Sequence, residues 1–157
     1  MTRNADIDAR AREARIKHRA RVRAEVERRG LASVMNQTRW TELRAAVRDL
    51  PFTPPFQRQD VLDPPERLWF SDQLIDQGCW CAECLEPLYS IEWLRIIPRL
   101  WRHEGALVPL KPAGDCADAL RTALTGLGLP FREDERGFWI HGYSAGDPTL
   151  DPAPAQV

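Results

Sequence analysis

The chain contains no apolar run approaching the roughly 20 residues needed to cross a bilayer. Its first residues, Met1-Thr2-Arg3-Asn4-Ala5-Asp6, lead into arginines and acids without the apolar stretch of a secretory signal, so the expected location is the cytoplasm. A glycine-rich phosphate loop is lacking too. Gly126-Leu127-Gly128 follows a helical pattern instead of preceding one, the reverse of a phosphate-binding arrangement. No serine or cysteine stands in a nucleophile setting such as Gly-x-Ser-x-Gly, and only His18, His103 and His141 offer an imidazole base. A Cys84–His dyad would form in space and leave no mark in sequence. No catalytic residue is therefore assigned, and the expectation is a protein that is not an enzyme. Internal repeats are absent, and the net charge of -1 gives no global bias toward nucleic acid.

What is present is locally biased. The 157 residues suffice for one domain with its own core. Six tryptophans (Trp40, Trp69, Trp80, Trp93, Trp101 and Trp139) supply large apolar area for it. Residues 1–34 hold ten Lys/Arg against five Asp/Glu, whereas the remainder holds twelve against eighteen. Between residues 60 and 92, eight acids (Asp60, Asp63, Glu66, Asp72, Asp76, Glu83, Glu86 and Glu92) face only Arg67. Such asymmetry speaks to partners and not to fold.

Periodicity gives the elements. Residues 5–29 lack Gly and Pro and favour helix, with arginines on every face and Gly30 as the stop. Thr38 is placed to cap a second helix carrying Trp40, Leu43, Val47 and Leu50, which Pro51 ends. Five prolines in residues 51–66 predict an irregular crossing. Strands are expected at Leu68–Phe70, Gly78–Glu83, Leu85–Tyr89 and Ile91–Leu100, and at Ala106–Leu110 after a turn at His103-Glu104-Gly105. Pro98 and Pro109 suggest edges or bulges. Asp115 caps a further helix with Cys116, Leu120, Leu124 and Leu127 along one side, and a last hairpin turns at Asp134–Gly137. The fold class expected is α+β, a mainly antiparallel sheet with two packed helices and an N-terminal Arg-rich helical arm. The division expected is an extension over 1–34, a domain over 35–143 and a disordered tail over 144–157.

Two constellations carry chemistry. Cys81-Ala82-Glu83-Cys84, with Cys79 adjacent, has the two-residue gap that lets both thiolates reach one tetrahedral zinc. A full site needs a fourth ligand, for which Cys116, His103 and His141 are candidates. Zinc modules usually show two such pairs and this chain has one, so the favoured reading of the same cysteines is as small apolar residues; no metal or cofactor is assigned. The second constellation is the acidic middle. Asp60, Asp63, Trp69, Asp72, Asp76, Trp80, Glu83 and Glu86 combine aromatic anchors with steering charge and are taken as partner-binding, against the alternative of an acidic face over an aromatic core. The basic arm offers a further reading, a nucleic-acid-associated accessory protein gripping phosphates through Arg10, Arg12, Arg15, Lys17, Arg19, Arg21 and Arg23, though interleaved acids and missing aromatics argue for a solvated arm.

Four segments carry a resemblance: Trp40-Thr41-Glu42-Leu43; Leu50-Pro51-Phe52-Thr53-Pro54-Pro55-Phe56-Gln57; Tyr89-Ser90-Ile91-Glu92-Trp93-Leu94-Arg95-Ile96; and Phe138-Trp139-Ile140-His141-Gly142-Tyr143. Over residues 36–143 the chain resembles a family of small bacterial proteins associated with polymorphic-toxin immunity. That resemblance implies a protein that neutralises a cognate toxin by direct contact, and it brings no catalytic residues. The arm and the cysteine triplet depart from the family pattern.

Overall fold

A computed structural model describes residues 2–64 and 73–146. The fold is α+β, with antiparallel sheets as expected. Helix α1 (Thr2–Arg28) opens the chain and ends before Gly30, whose φ of 66° suits a residue without a Cβ. A two-residue strand β1 (Ala32–Ser33) follows, then α2 (Gln37–Arg48). Asn36, not Thr38, caps α2: its side chain accepts from the Arg39 backbone N–H at 2.8 Å, while the Thr41 hydroxyl donates to the Gln37 carbonyl.

The proline-rich stretch contains a strand, β2 (Phe56–Asp60), where an irregular crossing was expected. Pro54-Pro55 and Pro64 bracket it and leave its own N–H groups free to pair. Its alternation was masked because Gln57 and Gln59 are the buried residues. Gly78–Glu83 and Leu85–Tyr89 are not strands. Cys81 leads into a single helical turn α3 (Ala82–Leu85), and a 3-10 turn spans Leu88–Ser90. The expected strand over 91–100 divides at Ile97-Pro98 into β3 (Ile91–Ile96) and β4 (Arg99–Arg102). The partner of β4 is β5 (Lys111–Asp115), not Ala106–Leu110, which stays in the connecting turn. Helix α4 (Ala117–Gly126) lies where the sequence placed it. The Asp115 carboxylate accepts from the Ala117 N–H at 2.9 Å, and Gly128 takes a φ of 65° just beyond the helix. Strands β6 (Arg132–Asp134) and β7 (Gly137–His141) form the expected hairpin, and β8 (Tyr143–Ser144) pairs with β1. The expected strand at Leu68–Phe70 and most of the expected tail lie outside the described residues.

The main sheet runs β2-β3-β7-β6, antiparallel throughout. Register assigns its two faces. Phe56, Ile96 and Phe138 share one row, and Arg58, Leu94 and Ile140 the next; these rows join Trp40, Leu43 and Val47 of α2 and Leu120 and Leu124 of α4 in one apolar core. On the opposite face, Gln57, Arg95, Trp139 and Arg132 make one row, and Gln59, Trp93 and His141 another. Trp93 and Trp139 meet edge to face with centroids 5.3 Å apart, and the Arg95 and Arg132 guanidiniums lie 5.8 and 5.2 Å from the Trp139 ring.

Helix α1 is solvent-exposed along residues 3–17, and its second half is docked. Val22 is buried, the His18 Nδ1 and Tyr89 hydroxyl are 2.7 Å apart, and Arg29 grips Glu92 through both carboxylate oxygens. The Tyr143 hydroxyl donates to the Tyr89 carbonyl at 2.6 Å, so Tyr89 joins arm, turn and final strand. Packing therefore continues across residue 35: Met35 is buried, and the Val34 N–H donates to the Gly142 carbonyl.

Deleting residues 2–14 should leave the thermal midpoint within about 1 °C, since those described side chains bury nothing. Starting the chain at Met35 should cost about 2–3 kcal/mol through loss of buried Val22 alone. That corresponds to a fall of roughly 5–10 °C in a calorimetric scan.

Candidate functional site: a clamped cysteine turn on an acidic edge

The segment from Leu74 to Ser90 brings both constellations together. Its first half is pinned to the proline-rich stretch and to β4: Gly78 N–H donates to the Thr53 carbonyl at 3.0 Å, the Gln77 side-chain oxygen accepts from Thr53, and Trp101 N–H donates to the Leu74 carbonyl. Gly78 is required by space, because a Cβ there would collide with the Pro54 carbonyl oxygen. Trp80 plugs the core, packs edge to face on Phe56 at 5.0 Å, and donates its indole N–H to the same Pro54 oxygen at 2.7 Å.

The second half is clamped by Arg58. Its guanidinium donates to the Leu85 carbonyl (2.6 Å), the Pro87 carbonyl (3.0 Å) and the Ser90 hydroxyl (3.0 Å), and pairs with Asp60 through two contacts at 2.5 and 3.2 Å. The Ser90 hydroxyl closes the ring by donating within 3.1 Å of the Asp60 carboxylate or 3.0 Å of the Pro87 carbonyl. Every oxygen in this cluster has a donor, which is what makes a partly buried charge pair tolerable.

Between the two anchors lie the cysteines. Trp80 turns into the core, while Cys79 and Cys81 on either side of it bring their sulfurs together outside. The single turn α3 then carries Cys84 back to them. The three Sγ atoms lie within 4.8 Å of one another, Cys79 and Cys81 at 2.9 Å, and all three are free thiols. Thiol donors from Cys81 and Cys84 hold the Cys79 thiol below its ordinary value, while Cys84 is pushed up to about 12 because its own thiol proton is held by the neighbouring sulfurs. The Glu83 carboxyl is lowered by backbone N–H donation and by the Cys81 thiol. Cys116 and His141 are buried elsewhere and His103 is exposed, so none of the fourth ligands suggested by sequence joins the group. Burial pushes the Cys116 thiol up to about 11.

The proposed partner-binding residues separate. Asp63, Asp76, Glu83 and Glu86 are exposed. Asp60 belongs to the Arg58 cluster and Trp80 is 3% exposed, so both are structural; Trp69 and Asp72 lie outside the described residues. Glu86 also accepts from the Leu88 N–H, with Arg44 3.8 Å away. Beside Asp76 opens a cleft of about 310 Å³ lined by Phe56, Leu74 and Ile75, the last 43% exposed. Sequence reasoning missed Arg58 and the Gln57–Arg95–Trp139–Arg132 row, because polar residues in these strands break the apolar alternation that signals burial.

Residues 22–147 match a family of unknown function (DUF6678), and the chain belongs to that family. The match takes in the docked half of α1 as well as the sheet. No curated protein and no solved structure matches the chain. Among the described residues no helix is long and apolar enough to cross a membrane.

Removing Arg58 leaves the Asp60 charge without its counter-ion and the Leu85 carbonyl without its side-chain donor. Arg58→Ala should cost about 3 kcal/mol, the lower end for a buried pair because the two side chains keep 16% and 24% exposure; a urea titration reads the loss. With chelator present, iodoacetamide at pH 8 should label Cys79 before Cys84 and Cys116. A pKa held below 9.0 gives Cys79 more thiolate at that pH than Cys84 or Cys116, and peptide mass mapping gives the order.

Proposed function

We propose that the chain is a binding protein of the immunity type, which neutralises a cognate bacterial toxin by direct contact and performs no chemistry itself. The observation that carries this reading is the exposed Asp76 on the wall of a cleft that also takes in Phe56, Leu74 and Ile75, with Asp63, Glu83 and Glu86 exposed on the neighbouring stretches of chain. Apolar recess and surrounding charge are the two parts a protein interface uses, the first for affinity and the second for approach and register. Asp63 and Asp76 make no ion pair with the described residues, in contrast to Glu25, Glu92, Glu104 and Glu133, each engaged by an arginine. Carboxylates held ready in this way suit a partner with a basic face, such as the substrate cleft of a nuclease. The rigid anchoring of the 74–90 segment limits the ordering cost on binding. The resemblance over residues 36–143 points to the same class.

Co-expression with the protein encoded immediately upstream is the deciding experiment. Rescue of growth together with co-purification is expected, and absence of both overturns the reading. In the purified complex, Asp63→Lys combined with Asp76→Lys should slow association about tenfold and flatten its salt dependence, while dissociation changes less.

A further inference from the structure

Three of the four cysteines stand on one outer surface of the molecule, and the binding reading above makes no use of them. The folded chain places them there from within. Trp80 and Leu85, 3% and 1% exposed, anchor the turn from the core side, and the Gly78 N–H and the Leu85 carbonyl are held by Thr53 and Arg58. Cys79 and Cys81 stand side by side across the buried Trp80, their sulfurs 2.9 Å apart. One helical turn, closed by Leu85 N–H donating to the Cys81 carbonyl at 3.2 Å, returns Cys84 to them. The sulfurs thus converge because the backbone brings them together, without a disulfide.

We propose that Cys79, Cys81 and Cys84 form a three-thiolate site for one zinc ion, with water in the fourth position. Zinc–sulfur bonds of about 2.3 Å in tetrahedral geometry set ligand sulfurs about 3.8 Å apart. The three Sγ atoms already lie within 4.8 Å of one another, so the ion needs adjustments of about 1 Å, with Cys79 and Cys81 moving apart from 2.9 Å. An all-sulfur donor set selects a borderline or soft ion, whereas calcium and magnesium require oxygen ligands. An iron–sulfur cluster takes four cysteines, and the fourth here, Cys116, is buried at the start of α4. Three thiolates this close repel one another, and a dication offsets most of that charge. Exposure of Cys79 and Cys84 gives the ion its entry path and leaves the open coordination position facing solvent. Each thiol that ligates releases its proton, so zinc affinity rises with pH until the cluster is fully deprotonated.

The test uses the full chain, reduced and stripped of metal by chelator, then loaded with zinc and desalted. One equivalent of retained zinc is expected. Cobalt in place of zinc should give thiolate-to-metal charge-transfer absorption and the visible bands of a four-coordinate ion. Cys79→Ser, Cys81→Ser and Cys84→Ser should each lower zinc affinity by at least about tenfold, since even outer-shell changes cost that much. Cys116→Ser should retain the full equivalent. A thermal scan of each metal-free variant separates loss of the site from loss of the fold: zinc should raise the midpoint of the unsubstituted chain and not those of the three ligand variants. Less than half an equivalent of zinc in the fully reduced chain overturns the proposal. So does retention unchanged in all three serine variants, or a mass lower by one disulfide under reducing conditions. None of these readouts involves a protein partner, so the zinc site and the binding role stand or fall separately.

Discussion

The Arg58 guanidinium holds the surface-bearing segment of this protein onto its sheet. Arg58 projects from an edge strand into the core-facing row, where Leu94 and Ile140 are its register neighbours. A long side chain with a charged head meets that position by running its stem along apolar surface and spending its donors at the rim. Five donors in a planar fork match the Asp60 carboxylate, two backbone carbonyls and the Ser90 hydroxyl at once, a combination lysine has no geometry to supply. The segment from Leu85 to Ser90 has little regular structure of its own, and Arg58 ties its Leu85 and Pro87 carbonyls to the sheet. The cysteine turn and the acidic edge inherit their position from that clamp at one end and from Trp80 and Gly78 at the other.

Strand alternation gives the sheet two very different faces. One is closed by α2 and α4 in an ordinary apolar core, and the other buries Gln57, Gln59, Arg95, His141, Trp93 and Trp139. Guanidiniums placed over the Trp139 ring let that second face combine burial with polarity, because the ring quadrupole attracts the cations. Tyr89 performs a related task on the outside, where the Arg19 guanidinium lies 5.1 Å above its ring and the His18 ring tilts against it. An arm that would be marginal as an isolated helix is thereby tied down over its second half.

Legibility in the sequence followed the strength of local signals. Helices α2 and α4 stood out because Trp40, Leu43 and Val47, and Leu120 and Leu124, repeat at helical spacing, and the closing hairpin because Asp134–Gly137 is turn chemistry beside Phe138-Trp139-Ile140. Strand β2 was hidden. Its buried residues are glutamines, and prolines beside it mimic a loop, though they stand outside the paired stretch. The stretch from Gly78 to Tyr89 deceived in the opposite direction, since apolar and aromatic residues spaced as in a strand prove to be single anchors in an irregular turn. In the acidic set, charge located the surface, but composition could not separate Asp60, consumed by Arg58, from Asp63 and Asp76, which face solvent.

By itself the sequence determined the α+β class, the two core helices, the final hairpin, the acidic middle and the unusual spacing of Cys79, Cys81 and Cys84. Each of these depends on residues within a few positions of one another, where propensity and periodicity act. Tertiary structure alone decided which acids are exposed, where the sheet's second face lies, that α1 docks through Tyr89, and that three thiols meet on an anchored turn. Those outcomes rest on contacts between residues 26 to 71 positions apart, such as Pro54 with Trp80 and His18 with Tyr89. Contacts of that range form only when the whole chain has closed on its core, and no local pattern encodes them.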